Sequence, residues 1–159
     1  MALYAVGETN DALDIVQDAM LVFVRNYRNR PASEWQLLFQ RSLQSRITDC
    51  HRRAAVRNRF RAWLGLGSGE EDNDPLETLP GIDGQSPSDL LERKGMGRAI
   101  NKAVAKLPLR QQQAFLLRSW EGLDVAETAA AMGCSEGSVK THYFRAVHTL
   151  RELLKEYWP

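Results

Sequence analysis

The residues with the clearest chemistry lie near the carboxyl terminus, in the run GSVKTHYFRAVHTLRELL. Plotted on a helix at about 100° per residue, Lys140, Thr141, Phe144, Arg145, His148 and Arg151 fall on one stripe. Val139, Tyr143, Ala146, Val147, Leu150 and Leu154 fall on the opposite stripe, which reads as a core face. Lysine and arginine suit phosphates or guanine edges, and Thr141 reaches a phosphate or a thymine methyl. Phe144 is the odd member, a large ring among polar side chains. Either it makes apolar contact with a base or sugar, or it packs against another helix of its own domain.

A second group of chemically capable residues is a block of arginine. From Arg25 to Arg61 there are ten arginines and no lysine, set against only Glu34 and Asp49. From Leu64 to Glu92 the balance inverts, with eight acidic residues and no basic one. A net charge of +1 therefore conceals two blocks that suit different partners. A cationic block beside a helical tail points to nucleic acid, although a solvated arginine face has the same composition.

Enzyme chemistry finds no footing. There is no HExxH, no glycine-rich phosphate loop and no serine elbow. His51 adjoins Cys50, but neighbours on a helix point about 100° apart. His142 and His148 are too far apart on one helix to share a metal, so no metal or cofactor is expected. Two cysteines 84 positions apart make no disulfide framework. The longest uninterrupted apolar stretch, Ala19 to Val24, is six residues, and no export signal opens the chain. A cytoplasmic protein is expected.

The elements that position these residues read as helices throughout. An amphipathic helix is predicted over Asn10–Tyr27, capped by Asn10, with Leu13, Val16, Met20, Phe23 and Val24 among its apolar positions. A short connection, NYRNRPAS, leads to a second helix from Glu34 to about Arg57. Ser33 and Gln36 match a capping box at its start, and Trp35, Leu38, Phe39, Leu43 and Ile47 share one side. A linker is predicted from Gly65 to Ser88. Beyond it the pattern is helical to the end, broken at Pro108, Gly122 and Gly133. The short helix DVAETAAAM, a left-handed stop at Gly133 and a cap at Ser135 complete a helix-turn-helix. The fold class is therefore all-α: two small helical domains joined by an acidic linker, the second a helix-turn-helix.

At these residues the chain resembles the bacterial RNA polymerase sigma factors of the extracytoplasmic-function (ECF) type, in the sigma-70 family. The block LPLRQQQAFLLRSWEGLDVAETAAAMGCSEGSVKTHYFRAVHTLRELL is similar to the family's fourth region, which reads the −35 promoter element. The segments DALDIVQDAMLVFVRNY and EWQLLFQRSLQSRITDCHRR are similar to the second region, which binds the polymerase clamp and then melts and reads the −10 element. The resemblance implies a core-binding and −10 domain over 1–62, an acidic linker over 63–95 and a −35 domain over 96–159. It places Asp14, Gln17 and Asp18 at the core-docking positions and gives Trp35 a core position. Arg41, Arg46, Arg52 and Arg53 match the promoter-facing helix, and Arg28, Asn29 and Arg30 stand where relatives capture a flipped −10 base. Arg118, Lys140, Thr141, Phe144 and Arg145 fall on −35 contact positions, with His148 on the same stripe.

Relatives begin with a further helix, where only ten residues precede the DALD segment here, so the first domain is expected to be short at its amino end. The implied partners are core RNA polymerase, promoter DNA and an anti-sigma factor, and the implied role is promoter recognition without catalysis. Two other readings compete: a helix-turn-helix regulator of the response-regulator type, since SVKTH also resembles that class, and an all-helical adaptor whose basic face binds acidic partners.

Overall fold

The computed structural model describes residues 1–64 and 87–157, with side chains described over 1–64 and 95–157. Among the described residues seven α-helices run in order: α1 (Ala2–Val6), α2 (Thr9–Tyr27), α3 (Trp35–Trp63), α4 (Pro87–Ala105), α5 (Leu109–Ser119), α6 (Val125–Met132) and α7 (Glu136–Leu153). Short 3-10 turns cover Ala32–Glu34 and Lys155–Tyr157. Among the described residues there is no strand, and no helix is long and apolar enough to cross a membrane. The all-α expectation holds. Most of the linker predicted over Gly65–Ser88 lies outside the described residues. The helices at its borders extend further than periodicity indicated: α3 continues to Trp63, and α4 opens at Pro87, inside the 63–95 segment.

Three apolar clusters organise the described residues. In the first, Ala12, Ile15 and Ala19 of α2 close on Leu43 and Ile47 of α3, with Ala2 of α1 beneath. The packing face of α2 is thus made of Ala12, Ile15 and Ala19, not of the larger residues that periodicity suggested. Leu13, Met20 and Val24 are exposed, while Val16 and Phe23 are half-buried. Small side chains bring α2 and α3 close together, and that approach turns the bulkier residues outward. Glu8, not Asn10, caps α2: its carboxylate accepts from the Asn10 and Asp11 amides at 3.2 and 3.0 Å.

The second cluster joins Ala114 and Leu117 of α5, Leu123, Ala129, Ala131 and Met132 around α6, and Val139 of α7. The third joins Ala103, Val104 and Leu107 to Leu116, Ala146 and Leu150. Fully buried side chains such as Ile47, Leu117 and Val139 each contribute about 1.5–3 kcal/mol by leaving water.

The halves also touch each other. Leu37 of α3 packs on the α5–α6–α7 cluster. The Gln36 amide donates to the Glu121 carbonyl at 3.2 Å, and the Gln113 amide reaches the Thr48 hydroxyl at 3.4 Å. The Tyr4 hydroxyl of α1 donates to Asn101 at 2.6 Å, and Gln112 donates to the Tyr4 carbonyl at 3.1 Å. This seam is rich in amides, and Gln40 and Gln44 are buried with carbonyl oxygens that have no partner among the described residues.

Candidate nucleic-acid interface

The helix-turn-helix forms from local rules. The Asp124 carboxylate accepts from the Glu127 amide while Glu127 returns to the Asp124 amide, both at 2.8 Å, a reciprocal cap that starts α6. Gly133 ends α6 at φ 62°, ψ 43°, a left-handed conformation open to glycine at no steric cost. The Cys134 amide then donates back to the Ala129 carbonyl at 3.1 Å, closing the turn. Ser135 starts α7 by accepting from the Ser138 amide at 3.2 Å. Arg110 ties the turn to α5 by donating to the Met132 carbonyl at 3.1 Å, a role that sequence reading missed. A side chain reaching the end of a helix 22 positions away leaves no local pattern.

On α7 both expected stripes appear. Val139, Ala146 and Leu150 are buried; Tyr143, Val147 and Leu154 are half-buried. Lys140, Thr141, Phe144, Arg145, His148 and Arg151 are all exposed. Phe144 is 72% exposed, so the alternative that it packs inside its own domain is excluded. The Thr141 hydroxyl donates to the Gly137 carbonyl at 3.0 Å, which leaves its methyl and lone pairs facing out. His142 sits at the edge of the stripe, half-buried. Burial first, then the charges of Arg110 and Arg145, hold its pKa below the usual histidine value.

Arg118 stands apart from this stripe. Its guanidinium donates to the Leu123 carbonyl at 2.7 Å and lies 5.8 Å from the centre of the Tyr143 ring. Tyr143 in turn stacks on Phe115 at 6.3 Å and meets Ser119 by its hydroxyl at 3.1 Å. In this structure Arg118 is a strut joining α5, the α5–α6 turn and α7.

The N-terminal candidates divide into three places. Arg28, Asn29 and Arg30 are exposed on a pinned turn: the Trp35 indole donates to the Arg30 carbonyl at 2.8 Å, and Arg30 pairs with Glu34 at 3.8 Å. Trp35 is therefore not a core residue but an exposed clamp on that turn, its ring edge-on to Phe23 at 6.0 Å. The capping box expected from Ser33 and Gln36 is absent; a 3-10 turn over Ala32–Glu34 leads into α3 without a side-chain cap. Ser33 does not cap because it lies inside that turn, and Glu34 occupies the position before the first residue of α3.

The four arginines of α3 do not share one face. Arg41 and Arg52 project to one side, about 20° apart around the axis. Arg46 and Arg53 instead line a groove between α2 and α3 with Asp11, Asp14, Asp18, Asp49 and Arg57. Arg46 is half-buried, and its Nε has no partner among the described residues. Asp14, Gln17 and Asp18 are exposed as expected. What sequence reading missed is their company: Leu13, Met20, Leu21 and Val24 lie exposed on the same helix, so the acids border an apolar strip.

Among the comparisons with known proteins, the family model matches the second half and the relatives span both. The family model for sigma-70 region 4 matches residues 97–150. The ECF RNA polymerase sigma factor BldN of Streptomyces coelicolor is 32% identical over 158 residues, covering 96% of this chain and 54% of that protein. The RNA polymerase sigma-E factor of the same organism is 33% identical over 150 residues, covering 94% of this chain and 75% of that one. The chain thus spans about half the length of BldN and three quarters of sigma-E. The sigma factor RpoE from Bartonella quintana, solved in complex with the anti-sigma factor NepR, superposes with a TM-score of 0.67 at 22% identity. That likeness covers 97% of this chain and 87% of RpoE, and it bears on the fold. Relatives that match through the arginine block as well as the helix-turn-helix leave the response-regulator and adaptor readings without support. The chain belongs to the sigma-70 family of RNA polymerase sigma factors, in its ECF branch.

Proposed function

We propose that this chain binds core RNA polymerase and directs it to promoters, reading the −35 element with α7 and the −10 element with the α2–α3 unit. The observation that carries the reading is α7, a capped helix with Lys140, Thr141, Phe144, Arg145 and His148 on one exposed stripe and a buried opposite face. A helix of this width fits the major groove, where Arg145 suits a guanine edge and Lys140 a phosphate. Phe144 supplies apolar contact to a thymine methyl or sugar. Arg118 acts from behind, holding Tyr143 and the α5–α6 turn so that α7 keeps its angle.

In the first domain, Asp14, Gln17 and Asp18 dock on a basic helical surface of the polymerase, with the exposed strip of Leu13, Met20, Leu21 and Val24 supplying apolar area. Arg28, Asn29 and Arg30 meet the −10 strand at the pinned turn. Arg41 and Arg52 face phosphates, and Arg46 and Arg53 hold the groove beside the docking acids. The acidic segment within 63–95 follows basic walls of the polymerase by its charge. Bond-making belongs to the polymerase, this chain acts with it in the cytoplasm, and an anti-sigma factor is the regulator that the family context suggests.

The test is transcription in vitro with core polymerase, with and without this chain, on a promoter library followed by sequencing of the RNA. Start sites that appear only with the chain and share two upstream elements support the reading. Transcripts unchanged by the chain overturn it.

A further inference from the structure

Helix α1 is anchored in one half of the molecule and reaches into the other. Ala2 is buried in the cluster of Ala12, Ile15, Ala19, Leu43 and Ile47, and Leu3, Ala5 and Val6 pack on it. The His51 ring of α3 donates to the Ala5 carbonyl at 2.6 Å, and Gly7 ends α1 in a left-handed conformation at φ 77°. These contacts fasten α1 to α2 and α3. Tyr4 turns the other way. Its ring packs on the cluster built from Val104, Leu107, Leu116 and Leu150. Its hydroxyl donates to Asn101 of α4 at 2.6 Å, and its carbonyl accepts from Gln112 of α5 at 3.1 Å. Burial raises the hydroxyl's pKa above the usual tyrosine value, so it remains a donor. Leu3 joins Tyr4 in a cleft with Leu116 and Trp120 of the second half.

Much of the remaining seam is polar. On α3, Gln36, Gln40, Gln44 and Thr48 recur at every fourth position, and Gln36 and Thr48 bond to the second half. Such bonds contribute little net, because water takes the same places once the halves part. Buried apolar area has no such substitute, so the contacts of α1, with Leu37, carry most of the closure. We propose that α1 is an autoinhibitory bolt: Tyr4 holds the second half against the first, and its withdrawal lets the halves part on a promoter. The proposal rests on the promoter reading and adds its control. Asp14, Gln17, Asp18 and the α7 stripe are exposed while the bolt is closed, so each half can meet its own partner alone. What the bolt withholds is both together, and the chain engages a two-element promoter only in proportion to its open fraction.

The test combines small-angle scattering of the free full chain with transcription by core polymerase on a two-element promoter recovered from the library. Tyr4→Ala removes the ring and the hydroxyl from the contact. It should raise the radius of gyration and lower the chain concentration giving half-maximal transcription by about tenfold or more. Tyr4→Phe deletes one oxygen and Asn101→Ala its acceptor, and each should move both readouts the same way, severalfold. These two decide the matter if circular dichroism finds Tyr4→Ala unfolded. Anisotropy on a duplex carrying the −35 element alone should show no change, because the α7 stripe is already exposed. A gain in transcription is an outcome that simple damage to the fold does not produce. An unchanged radius, or transcription no better than wild type in every folded variant, would overturn the bolt. Absence of transcription with the wild-type chain counts against the promoter reading, and the radius of the variants then decides the bolt by itself. Transcription with the wild-type chain and no gain in the variants counts against the bolt alone.

Discussion

Arg145 and Phe144 stand side by side on α7, yet their losses should look different. A bidentate arginine contact to guanine discriminates by ~1–3 kcal/mol, so Arg145→Ala should relax preference at one or two positions of the −35 element. Phe144→Ala should weaken recognition without altering the salt dependence, since an apolar contact releases no counterion. Transcription from a panel of −35 variants checks both; equal losses on every promoter for Arg145→Ala would reduce Arg145 to a phosphate contact. His142 allows a second prediction. Its folded pKa lies below the ordinary 6.5, through burial first and then the charges of Arg110 and Arg145. The unfolded chain takes up that proton more readily, so the stability contributed is full above pH 6.5 and is lost as pH falls towards the folded value. Arg145→Ala removes one of the causes and should move the His142 midpoint upward in an NMR titration. A midpoint that stays put or falls would contradict this electrostatic account.

At the scale of elements, the α6 cap and the α2 face make separate demands. Asp124→Ala removes an acceptor from a reciprocal cap and should cost about 1 kcal/mol, lowering the melting temperature by about 2–4 °C. Thermal unfolding followed by circular dichroism measures it, and no shift would mean that α6 is held by packing alone. The proposed docking acids cannot be tested by charge reversal without a side effect. Asp14 and Asp18 share a groove with Arg46, Arg53 and Arg57, so a lysine there would repel the arginines. Asp14→Asn/Asp18→Asn keeps the shape and should weaken binding to core polymerase severalfold, with the melting temperature little changed. A competition assay that finds unchanged affinity would remove the docking assignment.

On the proposed function, the whole molecule brings together two halves that act at separate places. Elements centred near −10 and −35 lie roughly 25 base pairs apart, or about 85 Å of duplex. Here Gln36 and Glu121 are in hydrogen-bond contact across the seam. Both elements can be read at once only after α3 leaves α5 and α6. A seam of amides, with buried carbonyls that have no partner among the described residues, is suited to such a separation, because water replaces what is lost. Leu37→Glu places a charge in the apolar part of the seam and should raise the radius of gyration of the isolated protein in small-angle scattering. An unchanged radius would mean that the seam survives without Leu37.

The amino-acid sequence by itself determined the helices, the turn at Gly133, the caps at Asp124 and Ser135 and both stripes of α7, because these depend on bonds and periodicities a few residues long. It also carried the family likeness in both halves. Tertiary structure decided what depends on distant partners. Ala12, Ile15 and Ala19 became the buried face of α2 because α3 approaches closely enough to need small side chains, which turned Leu13, Met20 and Val24 outward. Trp35 left the core to clamp a turn, and Arg118 found Leu123 and Tyr143 as partners. Arg46 and Arg53 turned towards the acids of α2. Each of these outcomes follows from a second surface arriving from elsewhere in the chain, and helical periodicity records only that a face exists, not which neighbour covers it.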